Sequence, residues 1–159
     1  MAWDLVEQHQ VLDLSDDPMS NVHGTHALWT WGSADGASVT WTIPAGKRDA
    51  TAFKWLSLRI AQTSGAPTTG LRMQIRNGLV WSPEIPLTSH GQLAQPTNMC
   101  FVGLPPCADY EHMATIRIPL GAFGPHGDVQ FVRLRFRGDS FPDTFILDNL
   151  EFSEWIFKP

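Results

Sequence analysis

Arginine and tryptophan are the residue types in this sequence whose spacing best indicates a chemical role. That role is the recognition of a ligand. A guanidinium group donates paired hydrogen bonds to carboxylates and to sugar hydroxyls. Of the eight arginines, only Arg48 falls in a predicted loop, and the others occupy polar positions of alternating segments. Those positions are Arg59, Arg72, Arg76, Arg117, Arg133, Arg135 and Arg137. If these segments belong to one sheet, an acidic protein carries a basic surface that could hold an anionic or neutral glycan.

The same arginines have a second interpretation. Long side chains are favoured on the wet faces of strands, where they pair with acidic neighbours such as Glu151. On this view the arginines are solvated outer positions of two different sheets. The alternation cannot decide between the two, because it does not assign strands to sheets.

Tryptophan is the second candidate for recognition, since an indole plane can lie against the apolar face of a sugar ring. The chain has seven tryptophans, of which Trp41 shares its strand face with Val39 and Ile43 and is predicted to lie in the core. Burial is the competing interpretation for the others, because tryptophan is usually largely buried. The predicted ligand-binding set is Trp29, Trp31, Trp55, Trp81, Arg59, Arg72, Gln74, Arg76, Arg133 and Arg135.

Motifs for catalysis are absent from the sequence. It has no nucleophile elbow, P-loop, dinucleotide fingerprint or HExxH segment, and no Glu-x-Asp-x-x-Glu triplet of the kind some glycanases use. His23 and His26 are close in sequence but lack a third nearby metal ligand, so we interpret them as loop residues. We therefore predict that the protein is not an enzyme.

The elements that must position these side chains are strands. Alternation of apolar and polar residues is the main pattern, and no segment supports a long amphipathic helix. The stretch 88–113 shows no period and is predicted to be a long surface loop. The predicted strands lie near 3–14, 25–31, 38–43, 54–62, 70–76, 79–87, 114–120, 129–137 and 144–152.

The last two strands are predicted to form a hairpin that closes a sheet, and the second of them contains an unusual residue. Asp148 lies in phase with Ile146, Leu150 and Phe152, which places a carboxylate on a face that otherwise looks buried. A buried carboxylate is costly unless a cation or several hydrogen-bond donors satisfy it. Asp148 therefore needs an explanation other than packing.

The segment Ala114-Thr-Ile-Arg-Ile-Pro-Leu-Gly-Ala-Phe123, followed by the final Ile-Leu-Asp-Asn-Leu-Glu-Phe strand, resembles the end of β-jelly-roll modules of the galactose-binding-like superfamily. That superfamily includes many carbohydrate-binding modules. The resemblance implies an all-β fold, a single β-sandwich with jelly-roll topology over residues 1–159. It implies a non-catalytic module that binds a poly- or oligosaccharide. The alternative is an accessory or protein-interaction domain of a larger secreted enzyme or surface protein, with the catalytic domain as a partner.

The resemblance also implies a structural Ca²⁺ between the first and last strands, with Asp148 as the matching carboxylate. Calcium takes six to eight oxygen ligands, and the acidic stretch from Asp13 to Asp17, with Asn21, offers them. The competing interpretation is that this stretch is a turn with side-chain-to-backbone hydrogen bonds, and that backbone or hydroxyl donors hold Asp148.

Composition limits the remaining possibilities. A chain of 159 residues is of the length of one domain and can bury a substantial core. The net charge of −5 argues against nucleic acid as a partner, and no apolar run reaches the length of a membrane span. The N-terminus shows no recognisable secretory signal. The resemblance nevertheless implies an extracellular or periplasmic domain separated from its signal.

Cys100 and Cys107 lie in the predicted loop at a spacing that could close a small disulfide ring, and two free thiols are the alternative. Loop location and the fold resemblance favour the bridge. Mass spectrometry of the unreduced protein tests it: we expect a chain lighter by two hydrogen atoms than the reduced chain. Equal masses before and after reduction would mean two free thiols.

Overall fold

The fold was analysed in a computed structural model, which describes residues 3–4, 6–13, 26–32, 34–62, 68–93, 97–99, 108–110, 114–140 and 144–154. Within these residues the regular structure consists of strands and of 3-10 turns of three or four residues, and no helix is long and apolar enough to span a membrane. The strands are β1 (Trp3–Asp4), β2 (Val6–Asp13), β3 (His26–Gly32), β4 (Ser38–Thr42), β5 (Trp55–Gln62), β6 (Arg72–Asn77), β7 (Val80–Trp81), β8 (Ile85–Pro86), β9 (Thr97–Met99), β10 (Ala108–Tyr110), β11 (Ala114–Pro119), β12 (Val129–Arg135) and β13 (Thr144–Ser153).

All strands except the separate pair β9 and β10 belong to two antiparallel sheets. Sheet A has the order β1-β4-β12-β6-β7, with β8 also paired to β6, and sheet B has the order β11-β5-β13-β3-β2. Apart from the pairs β2–β3, β6–β7 and β6–β8, strands that are neighbours in a sheet are distant in sequence, because the chain passes repeatedly from one sheet to the other. This is the connectivity of a jelly roll, so the predicted all-β sandwich is confirmed.

The core lies between the two sheets and follows from the alternation of the strands. Sheet A contributes residues such as Met73, Val132 and Leu134, and sheet B contributes residues such as Leu58 and Ile116, all of them buried. Phe136 and Phe145, one from each side, bring their ring centroids within 5.6 Å of each other. Trp41 packs against this core, as predicted.

The predicted pairing of the last two strands is wrong. β12 lies in sheet A between β4 and β6, whereas β13 lies in sheet B between β5 and β3. The consecutive strands β3 and β4 likewise lie in different sheets. Alternation identifies a strand and its buried face but not its partner, and a loop of a few residues can cross between stacked sheets.

The predicted face of Asp148 is correct only in part. Asp148 shares the side of β13 opposite Phe145 and Leu147 with Ile146, and both side chains are largely buried, but Leu150 and Phe152 pack against the core on the other side. A register irregularity between Asp148 and Glu151 then returns Leu150 to the core side. An extra residue in one strand resets the alternation, which a strict period of two cannot anticipate.

The predicted long loop at 88–113 contains some regular structure. Within it, β9 and β10 pair antiparallel, with Asn98 opposite Asp109. The prediction that the stretch is structureless was therefore wrong in part. Cys100 and Cys107 lie outside the described residues, so their pairing stays a prediction.

Asp139 ties the segment before β6 to the turn after β12. One carboxylate oxygen accepts hydrogen bonds from the Thr68 hydroxyl at 2.7 Å and the Thr69 amide at 3.0 Å. The other accepts from the Thr69 hydroxyl at 2.8 Å and from the same amide at 2.9 Å. Burial acts to raise the pKa of Asp139, but these hydrogen bonds outweigh it and leave that pKa lowered.

Gly70 lies at the point where the two segments come closest. The Arg137 amide donates to the Gly70 carbonyl at 3.1 Å. A Cβ at Gly70 would overlap the backbone carbonyl oxygen of Arg137. The position therefore requires glycine, because neither backbone can move without breaking the hydrogen bond.

Gly70→Ala should lower the free energy of unfolding by about 1–3 kcal/mol, because the added methyl forces the two backbones apart. Chemical denaturation measures the change. Gly46→Ala is the matched control, since a Cβ there meets nothing within 4 Å. Equal stability of the two variants would contradict the close approach at Gly70.

Asp139→Asn should reduce the melting temperature most near neutral pH. The folded-state pKa of Asp139 is lowered, so its stabilising effect is present above the ordinary value of 3.8 and is lost as the pH falls through the folded-state pKa. We expect the gap between wild type and Asp139→Asn to stay constant from neutral pH down to about pH 4 and to close as the pH falls further. A gap that persists unchanged below that pH would contradict this account.

Candidate functional site

The outer face of sheet A carries most of the predicted recognition residues. On β12, Arg133 and Arg135 alternate with the buried Val132 and Leu134, so their side chains point away from the core. The neighbouring strand β6 presents Arg76 in the same way. We call this surface the arginine face and define it by Thr40, Arg72, Gln74, Arg76, Trp81, Glu84, Phe131, Arg133, Arg135 and Arg137.

Strand register sets the order of the arginine face. Arg133 pairs with Thr40 on one side and with Gln74 on the other. One row along, Phe131 pairs with Arg76, which in turn pairs with Trp81. Directly opposite residues on antiparallel strands point to the same side, so these side chains form rows across the sheet.

Arg133 is held in place at the centre of this face. Its Nη2 donates to the Gln74 side-chain oxygen at 2.8 Å, and the Gln74 amide nitrogen donates to the carbonyl of Ser82 at 2.7 Å. The guanidinium carbon lies 3.8 Å from the ring centroid of Trp81, a stacked cation–π contact. Arg133 is therefore ordered before any ligand arrives.

A second cation–aromatic contact lies beside the first. The guanidinium carbon of Arg76 lies 5.5 Å from the ring centroid of Phe131, and the ring centroids of Phe131 and Trp81 are 6.4 Å apart. Two guanidinium groups and two rings thus alternate over one end of the sheet. The rings lower the cost of bringing the two positive charges together.

Glu84 provides the countercharge at the other end of the face. Its Oε1 accepts hydrogen bonds from Arg135 and Arg137, each at 2.8 Å. The hydrogen bond from Arg137 is the main reason that the pKa of Glu84 is lowered, and the charges of Arg137, Arg135 and Arg133 add to the effect against partial burial. Arg137 also faces Asp35 at 3.8 Å. This end of the face is close to neutral.

Some polar atoms beneath this surface are buried without a hydrogen-bond partner in the described part of the chain. They are the hydroxyl of Thr40 and the Nε atoms of Arg76 and Arg135. Thr40 as a residue is only 6% exposed. Unmet donors and acceptors of this kind are uncommon in native proteins and often mark functional surfaces.

The structure divides the predicted ligand-binding set between the two sheets. Arg72, Gln74, Arg76, Trp81, Arg133 and Arg135 lie together on sheet A, whereas Trp29, Trp31, Trp55 and Arg59 lie on sheet B. Trp29 and Trp31 belong to β3, opposite Ile146 and Thr144 of β13, and their side chains lie outside the described residues. Trp55 and Arg59 cannot share a ligand with the residues on sheet A, because the core separates the outer faces of the two sheets.

On sheet B, Asp148 has a cation for a neighbour. Arg59 pairs with it across β5 and β13 and places Nη1 3.4 Å from its carboxylate, whose side chain is 8% exposed. Asp13 lies on β2, and β3 separates that strand from β13. No group of three or more His, Cys, Asp or Glu residues that could hold a metal occurs in the described ranges. Calcium binding stays a prediction, and the described residues do not show the oxygen cluster it needs.

Sequence reasoning missed Glu84 and Phe131 as members of the arginine face. Phe131 has the same strand parity as Arg133, so its outward position was open to prediction despite its apolar type. Glu84 lies between the short strands β7 and β8, where the sequence shows no alternation of apolar and polar residues. Its ion pairs with Arg135 and Arg137 depend on tertiary structure alone.

A separate cavity of about 610 Å³ opens at one end of the sandwich. Its walls are mainly apolar, with Phe53 and Phe152 among them and Lys47, Asp49 and Glu151 also lining it. None of the predicted ligand-binding residues lines this cavity, so the arginine face remains the candidate site.

No protein-family model and no curated protein matches this chain. Among solved structures, the β-1,2-glucanase from Parabacteroides distasonis is similar over 92% of this chain and 21% of its own, with a TM-score of 0.59 and 14% identity. A family 11 carbohydrate-binding module from Clostridium thermocellum, in complex with a β-1,3-1,4-mixed-linked tetrasaccharide, has a TM-score of 0.56 and 12% identity, covering 95% of this chain and 84% of that one. The chain spans about a fifth of the glucanase but most of the binding module. At such identities these likenesses show the fold alone: this chain shares a β-sandwich with the family 11 module and with part of the β-1,2-glucanase.

Proposed function

We propose that this protein is a non-catalytic module that binds a polysaccharide or oligosaccharide on the arginine face. The observation that carries the proposal is the stack of Arg133 on Trp81, fixed by Gln74 and surrounded by further guanidinium groups. Sugars present closely spaced hydroxyl oxygens, which a rigid array of N–H donors can bind at low entropic cost.

Hydrogen bonds contribute more to this site than tryptophan stacking. One face of the Trp81 ring is already covered by Arg133, so a sugar ring could lie there only by displacing that guanidinium group. Trp81 instead supports Arg133 from beneath. Arg76 and Phe131 form the neighbouring contact, where a sugar can meet a cation and a ring edge together.

The structural neighbours support this proposal in a limited way. The family 11 module is similar in extent to this chain and was solved with an oligosaccharide bound. That likeness concerns the fold, and it makes β-linked glucans a reasonable part of a first ligand panel. A polysaccharide ligand would also place the protein outside the cytoplasm, in an extracellular or periplasmic setting.

An accessory role in a larger protein is the second candidate function. Leu79 and Val80 are 85% and 71% exposed at the tip of the β6–β7 hairpin, which is unusual for large apolar side chains. Such residues suit contact with another protein surface. The glucanase, of which this chain spans 21%, shows that a sandwich of this shape also occurs within longer chains.

Affinity gel electrophoresis against neutral and acidic polysaccharides tests the proposal, with tryptophan emission recorded in parallel. We expect retardation by at least one polymer. Arg133→Ala should weaken it roughly ten-fold or more, because a charged hydrogen-bonding group leaves the centre of the face. Arg117→Ala is the matched control, since Arg117 lies on the outer face of sheet B opposite Ser57.

Retention of full binding by Arg133→Ala would move the site away from the arginine face. Absence of retardation across the whole panel would contradict glycan binding. In that case the accessory function, with a protein as partner, would become the leading hypothesis.

A further inference from the structure

We propose that the ligand of the arginine face is an acidic polysaccharide whose carboxylates lie against Arg72 and Arg76. This inference rests on the proposed function and specifies the chemical class of the glycan. It concerns the two arginines of β6, for which the described residues provide no carboxylate partner.

The charge of the arginine face is opposite to that of the protein. The chain as a whole has a net charge of −5. The face has five arginines, and among the residues that the structure describes Arg135 and Arg137 pair with two carboxylates, Glu84 and Asp35. A concentrated positive surface on an acidic protein attracts an anion locally while the remaining surface repels it.

Glu84 binds two arginines of the face but neither of those on β6. It pairs with Arg135, which lies directly opposite Arg72, and with Arg137. In the described ranges, no carboxylate lies within 4.0 Å of Arg72 or Arg76. Both are on β6, on either side of Gln74, so they stand about 13 Å apart along the strand. This spacing suits charges that repeat along an extended polymer.

The two arginines are oriented but not fully bonded. Nη1 of Arg72 donates to the backbone carbonyls of Leu71 and Thr69, which holds its guanidinium at the edge of the strand. Arg76 lies over Phe131, and its Nε is buried without an acceptor in the described structure. Each guanidinium group therefore retains donor capacity that a carboxylate can fill in a bidentate manner.

A carboxylate suits these two arginines better than a neutral hydroxyl. It can accept two parallel hydrogen bonds from one guanidinium group, and its charge relieves the repulsion between neighbouring cations, which a hydroxyl cannot do. Nucleic acid is disfavoured as the polyanion, because its dense phosphate charge would meet an overall acidic protein.

The test uses polymers that share a backbone and differ in charge. Polygalacturonate is compared with its methyl ester, and carboxymethyl cellulose with hydroxyethyl cellulose, in affinity gels at several salt concentrations. We expect the charged member of at least one pair to bind and its neutral partner to bind roughly ten-fold more weakly or not at all. Binding should fall steeply between about 20 mM and about 200 mM NaCl, because salt screens exposed charges.

The double variant Arg72→Gln with Arg76→Gln should lose both the preference for the charged polymer and its salt dependence. Arg117→Gln, on the opposite sheet, should keep both, and melting curves confirm that each variant is folded.

Equal binding of charged and neutral polymers without salt dependence would overturn the acidic class while leaving glycan binding intact. Unchanged binding of the charged polymer by the double variant would also overturn the inference. Binding of neither member of any pair, or of any polymer in the wider panel, would overturn the proposed function itself.

Discussion

The pairing of β12 between β4 and β6 is the constraint on which both the core and the arginine face depend. The strand contributes Val132 and Leu134 to the core and Arg133 and Arg135 to the outer surface. Because side chains alternate along a strand, a register shift of one residue would bring guanidinium groups into the core. Burying unpaired cations is far more costly than losing a few apolar contacts. Core packing therefore fixes where each arginine lies, and recognition depends on that geometry.

Two irregularities in strand pairing adjust this simple pattern. One lies between Val129 and Phe131 in β12, and it allows Val129 to be buried while Phe131 joins the outer face beneath Arg76. The other lies in β13 after Asp148, which stays on the outer side against Arg59 while Leu150 reaches the core. Both change the direction of side chains at functionally or electrostatically sensitive points, as bulges commonly do.

The arginine face shows how a sheet can gather like charges without losing stability. Aromatic rings stack on two of the guanidinium groups, and Glu84 binds two others. Gln74 adds a neutral hydrogen bond at the centre. What remains is a set of ordered donors whose capacity is not fully used. A surface arranged in this way favours binding of oxygen-rich ligands, because much of the ordering cost has been met during folding.

The sequence alone determined which segments are strands and which side of each strand is apolar, since burial on one face imposes a period of two that residue types reveal directly. It therefore predicted the core position of Trp41 and the outward arginines of β12, while the sandwich was implied by the resemblance to jelly-roll modules. It could not determine strand partners: β12 and β13 look like a hairpin, yet they lie in different sheets. Nor could it predict that Leu150 and Phe152 leave the face of Asp148, because a single extra residue reverses the alternation. Tertiary structure decided that Arg72, Arg76, Arg133 and Arg135 share a surface while Arg59 and Trp55 lie on the opposite side. The physical reason is that alternation is local, whereas the assignment of strands to sheets depends on long-range packing of two apolar faces against each other.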